Sequence, residues 1–206
     1  MTKLILASAS PRRREILSSL GVAFSICPSL AEERSSESEP ALLVEDLARQ
    51  KGRAVYTELK QSGRMTGDTL ILSCDTVVAL GNEILGKPKD LADAKRMLRL
   101  LSGKEHVVAS GVCLTGPDGK QYVTHEETFV RFFDLTDDRI KAYLAAEKVT
   151  DKAGAYAIQG KASSFVKSIR GDYLNVVGLP LFALFDLYRK NFGKNFLSAL
   201  EKEPVL

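Results

Sequence analysis

One segment restricts the fold more than any other: the run TLILSCDTVVAL (69–80). A strand with one wet face alternates apolar and polar residues, whereas this run is apolar almost throughout. It therefore reads as a strand covered on both faces, inside a sheet with layers on either side. A single carboxylate, Asp75, interrupts it. Burying a carboxylate is costly unless it is paired, hydrogen-bonded or bound to a cation. Asp75 is thus either a satisfied structural aspartate or a working one. Thr76 beside it presents a hydroxyl to the opposite strand face.

The flanking sequence supplies the rest of the pattern. KLILA (3–7) predicts a short strand that runs into Ser8-Ala9-Ser10-Pro11, where a Ser10 hydroxyl cap and a proline at the first helical position predict a helix reaching Gly21. VAFSIC (22–27) predicts a second strand, and the polar, acidic stretch 28–40 a loop. Residues 41–60 have the spacing of an amphipathic helix. Gly81-Asn82 predicts a hairpin turn into Glu83–Leu85, residues 90–101 a helix opened by Asp90, and 106–115 and 121–135 two strands joined by Gly116-Pro117-Asp118-Gly119. A helix is expected at 136–146, strands near 165–169 and 173–177, and a last helix at about 180–192, with a peripheral tail from Asn195. Phe129, Phe132, Phe133 and Tyr143 are expected in the core. Strand–helix and strand–strand successions together predict an α/β or α+β fold around a mixed sheet.

The 206 residues, 45% hydrophobic, suffice for one domain with its own core, and no repeat or linker divides 1–206. Lys and Arg number 29 against 26 for Asp and Glu, and a net charge of +3 excludes broad electrostatic binding of a nucleic-acid polymer. Three scattered cysteines, Cys27, Cys74 and Cys113, fit a reducing compartment, and two histidines, His106 and His125, argue against a zinc site. His106, after a helix stop, reads as a loop-ordering residue and His125 as an exposed strand residue. No leader-like or membrane-length apolar stretch occurs, so no membrane partner and a cytoplasmic location are expected.

Chemistry concentrates in a few places. Ser8 through Arg14 combines hydroxyls, free amides at a helix start and three guanidinium groups, a set suited to an anion, although a capped surface helix with solvated arginines is the plainer reading of the same residues. RNA binding there lacks aromatic platforms beside the basic run. Lys87, in Gly86-Lys87-Pro88, follows the hairpin and can return toward Asp75. Lys51 on the long helix and Glu33 in the acidic loop carry no signal alone. AGAYAIQG (153–160) permits close backbone approach to a ligand but has neither P-loop nor dinucleotide-binding spacing.

Seven segments, ASASPRRREIL, SCDTVV, GKPKD, LSGKEHVV, TFVRF, DKAGAYAIQG and NVVGLPL, occur in an order that resembles the Maf (septum-formation inhibitor) family of nucleotide pyrophosphatases, from Lys3 to about Leu187. The tail from about Arg189 adds nothing to the resemblance. It implies an elongated α/β fold with a mixed curved sheet flanked by helices, two lobes and a cleft, similar to the inosine-triphosphate pyrophosphatases. It implies hydrolysis of a nucleoside triphosphate between the α and β phosphates, with a divalent Mg²⁺ or Mn²⁺ and often a homodimer. Residue by residue, Asp75 matches the catalytic aspartate and a metal ligand; Arg12, Thr76 and Gln159 match positions tied to base specificity. Ser8, Arg13, Lys51 and Lys87 match polar positions around the phosphates. Glu33 matches a metal-site carboxylate, with Glu32 the alternative if the loop aligns one residue earlier. DKAGAYAIQG is similar to the branch acting on dTTP and UTP. A glutamine amide can pair with the C4 carbonyl and N3–H of uracil or thymine, provided that a neighbour fixes its orientation. A non-catalytic, nucleotide-binding regulator of cell division is the rival expectation.

Overall fold

The computed structural model describes residues 2–200. Its elements, in chain order, are β1 (Lys3–Leu6), α1 (Pro11–Ser18), β2 (Phe24–Ile26), α2 (Pro40–Gln61), β3 (Thr69–Leu80), β4 (Glu83–Leu85), α3 (Leu91–Leu101), β5 (Glu105–Thr115), β6 (Gln121–Phe132), α4 (Asp137–Ala146), β7 (Val166–Arg170), α5 (Tyr173–Val177), α6 (Leu181–Phe192) and α7 (Phe196–Ala199). Two 3₁₀ turns, Ala153–Ala155 and Gly160–Phe165, precede β7. The strands form one mixed seven-stranded sheet in the order β2-β1-β3-β5-β6-β7, with β4 also on β3. β1 runs parallel to β2 and β3, and the other pairings are antiparallel.

The expected double burial of 69–80 is observed: ten of the twelve residues of β3 are buried. Its side chains divide strictly by parity. Leu70, Leu72, Cys74 and Val78 enter the main core with α3, α4 and α6. Ile71 and Val77 face α2, packing near Val55 and Val44. Asp75 belongs to the α2 face.

Pairing along β3 is unequal on its two edges. β5 covers Ile71 through Ala79 on one edge. On the other, β1 ends opposite Leu72 and the antiparallel β4 ends with Leu85 opposite Val78, so no strand accompanies residues 73–77 among the described residues. A notch opens there at the carboxyl end of β1, the place where parallel strands leave a crevice for ligands. Asp75 lies at its centre.

Helix α2 approaches the sheet unusually closely. A Cβ on Gly111 of β5 would lie 2.1 Å from the Val44 carbonyl oxygen, and one on Gly52 would lie 2.6 Å and 2.8 Å from the Thr115 and Ser73 hydroxyls. The Ser73 hydroxyl donates to the Ala48 carbonyl at 2.7 Å, securing the same contact.

Several expectations are corrected. Ser10 precedes α1 in extended conformation, but its side chain makes no capping bond; the Ser10 amide instead donates to Ser8 Oγ at 3.2 Å. Residues 173–177 form helix α5, not a strand, because the Asp172 carboxylate caps the Leu174 amide and Asn175 inserts its amide between the Val108 carbonyl and the Thr128 hydroxyl. The tail is not peripheral as far as residue 200, since Phe196 is buried against Phe185 and Tyr188 and Leu200 bridges Thr2. Phe133 is exposed because it lies just past the end of β6, after the register shift at Arg131–Phe132, and Phe129 is half-buried with the Arg170 guanidinium over its ring. His106 lies within β5, buried, instead of ordering a loop.

Gly111→Ala is expected to destabilise the protein by about 3 kcal/mol or more, because the clash is with backbone on both sides. Gly67, whose Cβ would meet nothing within 4 Å, provides the control: Gly67→Ala should stay within about 0.5 kcal/mol. Urea midpoints of the two variants measure both.

Candidate active site

The notch opens into a cleft of about 600 Å³, lined by the Ser8–Arg13 turn, the 28–33 loop, α2, β3, the β4 exit and residues 151–153. Asp75 is 8% exposed at its floor. Its carboxylate accepts a short hydrogen bond from Lys51 Nζ, whose ammonium also pairs with Glu33 Oε1 at 3.1 Å. The Lys51 and Asp75 side chains are each only 12% exposed. The burial cost of Asp75 is thus met by an ion pair with a second partner, as a buried charge requires.

Glu33 reaches this pair because α2 holds the acidic loop. Gln50, one residue before Lys51, donates from Nε2 to the Arg34 carbonyl at 2.6 Å and accepts from the Arg34 amide at 3.3 Å. This clasp decides between the neighbouring glutamates: Glu33 turns inward to Lys51, whereas Glu32 pairs with the Arg34 side chain at 2.8 Å on the surface.

Across β3, Thr76 faces a different set. Arg13 donates from Nε to the Gly178 carbonyl at 2.8 Å, from Nη1 to Ser8 Oγ at 3.2 Å and from Nη2 to Thr76 Oγ1 at 3.1 Å. Thr76 Oγ1 also shares a 2.8 Å hydrogen bond with Ser110 Oγ, which donates to the Asn175 carbonyl at 3.2 Å. The guanidinium therefore ties the first turn to the central strand and to the loop after α5. Cys74 beside it donates its thiol to the same Gly178 carbonyl at 3.3 Å, and burial pushes that thiol up, away from nucleophilic use.

Arg12 lines the large cleft and also a small adjoining cavity of about 50 Å³, where Thr76, Tyr156, Ile158, Gln159 and Val176 form walls. Gln159 is exposed at that cavity and makes no capping bond to the turn that it opens. The backbone before it is unusual: Gly154 and Ala155 have φ of 64° and 63°, and a non-glycine residue in that region is strained. Lys87 is exposed on the cleft wall, and Arg14 points outward.

All nine residues singled out from the sequence thus sit on two connected cavities. Three further members escaped that reading. Ser110 and Asn175 are fully buried polar residues behind Thr76, and Asp151, on the cleft wall, pairs with Lys152 at 2.9 Å. Ser110 could have been noticed as a hydroxyl within an apolar strand; Asn175 and Asp151 lie inside the segments NVVGLPL and DKAGAYAIQG but carry no chemical signal by type.

For a divalent ion, Asp75 and Glu33 offer hard oxygen donors within reach of one ammonium. No group of three or more His, Cys, Asp or Glu suited to a metal occurs among the described residues. Two carboxylates with substrate phosphates and water completing the shell suit Mg²⁺, which is seldom caged by protein alone. The residues fit such an ion.

His106 stands behind the small cavity. Its Nε2 shares a 2.8 Å hydrogen bond with the Tyr156 hydroxyl, its Nδ1 is buried without a partner, and its ring meets Phe132 edge-on. Burial lowers its pKa from 6.5 to about 4. The unfolded chain binds this proton more readily, so stability from neutral His106 is complete above pH 6.5 and declines as the pH falls toward 4. The loss is expected to reach on the order of 3 kcal/mol. His106→Phe should flatten that part of the stability–pH curve, measured by urea unfolding between about pH 7.5 and 4.5.

The family described as Maf-like protein matches residues 3–191. A dTTP/UTP pyrophosphatase of Ruminiclostridium cellulolyticum is 46% identical over 193 residues, covering 92% of this chain and 96% of that one. A dTTP/UTP pyrophosphatase of Moorella thermoacetica is 48% identical over 189 residues, covering 91% and 94%. Among solved structures, a nucleoside-triphosphatase (dITP/XTP pyrophosphatase) of Mycobacterium abscessus aligns at 18% identity with a TM-score of 0.42, covering 64% of this chain and 74% of that one. A HAM1 protein of Coxiella burnetii aligns at 16% identity with a TM-score of 0.45, covering 64% and 73%.

Proposed function

Because this chain belongs to the Maf family, we propose that it is a nucleoside triphosphate pyrophosphatase that hydrolyses dTTP and UTP to the monophosphate and pyrophosphate. The observation that carries this reading is the buried Asp75 carboxylate at the floor of a cation-lined cleft that leads into a smaller cavity edged by Gln159. Phosphates in the large cleft would meet Arg12, Lys51 and Lys87, whose charges offset those of the triphosphate and the leaving pyrophosphate. The base would enter the small cavity, where a pyrimidine is the better match in size and the Gln159 amide can face C4 and N3.

In this proposal Asp75 orients a water molecule and accepts its proton. The oxygen of water joins the α phosphorus as the α–β bridge breaks, and the bridging oxygen keeps the bonding electrons and departs with pyrophosphate. Arg13 works indirectly, holding Ser8 and Thr76 in place through its three internal hydrogen bonds. A divalent Mg²⁺ or Mn²⁺, held by Asp75 and Glu33, would supply charge neutralisation at the phosphates. Three free, buried cysteines support a cytoplasmic setting, and among the described residues no helix is long and apolar enough to cross a membrane. One Maf-like domain over 1–206 and a homodimer complete the proposal.

Pyrophosphate release from a panel of triphosphates tests it. With Mg²⁺ or Mn²⁺ present, dTTP and UTP should exceed ATP and GTP in kcat/KM by about 10²-fold or more. Asp75→Asn should lower kcat by at least about 10³-fold while leaving the circular-dichroism spectrum intact. Near-normal turnover by that variant would overturn the assignment of Asp75.

A further inference from the structure

The four cations of the cleft are not equivalent. Arg13 commits one donor from each of its three guanidinium nitrogens to Gly178, Ser8 and Thr76, which fixes its position. Arg12 and Lys87 make no ion pair among the described residues, so they can take a phosphate without giving up a partner. Lys51 differs from all three, because its ammonium already bridges the two carboxylates that fit a metal. We propose that Lys51 is a stand-in cation, which occupies the Asp75–Glu33 pair until nucleotide arrives and thereby makes divalent-metal binding depend on nucleotide. This inference rests on Asp75 and Glu33 as the metal-holding pair and adds the order in which the site fills.

The electrostatics are one-sided. Two carboxylates and one ammonium leave a local charge of −1, with oxygen lone pairs of both acids already engaged. A dication entering alone would have to displace the ammonium into a region where the Lys51 side chain is only 12% exposed, or share the same acids with it. Either outcome costs Coulomb energy at low effective dielectric. The helix cannot relieve this by shifting, since Gly52 is seated against Ser73 and Thr115. Only the four-carbon stem of Lys51 can move.

A triphosphate changes the balance. Its oxygens give the ammonium a new anionic partner within the same cleft, and the vacated carboxylates receive the metal that the nucleotide carries. Each charge then keeps an opposite neighbour, which is the condition for charges to remain in a partly buried site. Metal and nucleotide binding are coupled through one side chain, and by linkage the coupling is reciprocal.

The test is binding, read without turnover. Mn²⁺ is titrated into nucleotide-free wild type, Lys51→Met and Lys51→Gln, with unbound Mn²⁺ followed by electron paramagnetic resonance, and again with α,β-methylene-UTP present. The neutral variants are expected to bind Mn²⁺ without nucleotide at least about tenfold more tightly than wild type. The analogue should tighten Mn²⁺ binding by wild type about tenfold and by the variants much less. A merely structural defect would not raise metal affinity. Variants that fold, by circular dichroism, yet bind Mn²⁺ no better than wild type would overturn the stand-in role while leaving the metal pair intact. Failure of wild type to bind Mn²⁺ even with the analogue would remove Asp75 and Glu33 as the metal pair, and the proposal with them.

Discussion

The placement of a carboxylate in the middle of the central, doubly covered strand is the constraint on which the remaining architecture depends. Asp75 needs a cation, an opening and a wall. Lys51 is the cation; the interval between the end of β1 and the end of β4 along this edge of β3 is the opening. Helix α2 is the wall, and it must run close enough for a lysine to reach the strand. Glycine at 52 and 111 makes that approach sterically available. Ser73 fastens it with a hydrogen bond to Ala48. Without the close helix, Asp75 would be a buried charge with no partner, a fault worth several kcal/mol.

The two faces of β3 divide the work. One face carries Asp75, Lys51 and Glu33, a charged set that opens toward the cleft. The other carries Thr76, Ser110 and Arg13, a hydrogen-bonded set that binds distant parts of the chain together. Adjacent residues of a strand point to opposite faces, so the aspartate and the threonine bring both sets to within one residue of each other. The strained Gly154–Ala155 backbone joins Ala153 to Tyr156, both of which line the small cavity with Thr76. Strain at such a position is sustained by the surrounding packing and is characteristic of ligand-shaping loops.

Much of this was readable in the amino-acid sequence because it depends on local pattern. The apolar run of β3, its lone aspartate and the helical spacing of α2 each carry a short-range signal. What could not be read depends on contacts between distant segments. The Ser10 hydroxyl caps no amide of α1, and the Ser10 backbone amide is instead held by the Ser8 hydroxyl. Residues 173–177 end in two β-branched valines but fold as a helix, since Asp172 caps the Leu174 amide and Asn175 finds partners that only the tertiary fold supplies. His106 is buried against Phe132 and Tyr156, which lie far from it in the chain. The choice of Glu33 over Glu32 needed the Gln50 clasp, which joins residues sixteen apart in sequence.

Arg12 belongs to both cavities. A side chain shared in this way cannot be altered for one cavity alone: under the proposed function, a shorter or neutral replacement would reshape the room for the base and weaken the grip on phosphate together. Under that proposal, which substrates are accepted and how fast they are turned over are mechanically joined at this residue. Divergence toward other bases, by nature or by design, has a freer path through positions confined to the smaller chamber, such as Ile158, Gln159 and Val176, where the walls can change while the charged half of the site stays as it is.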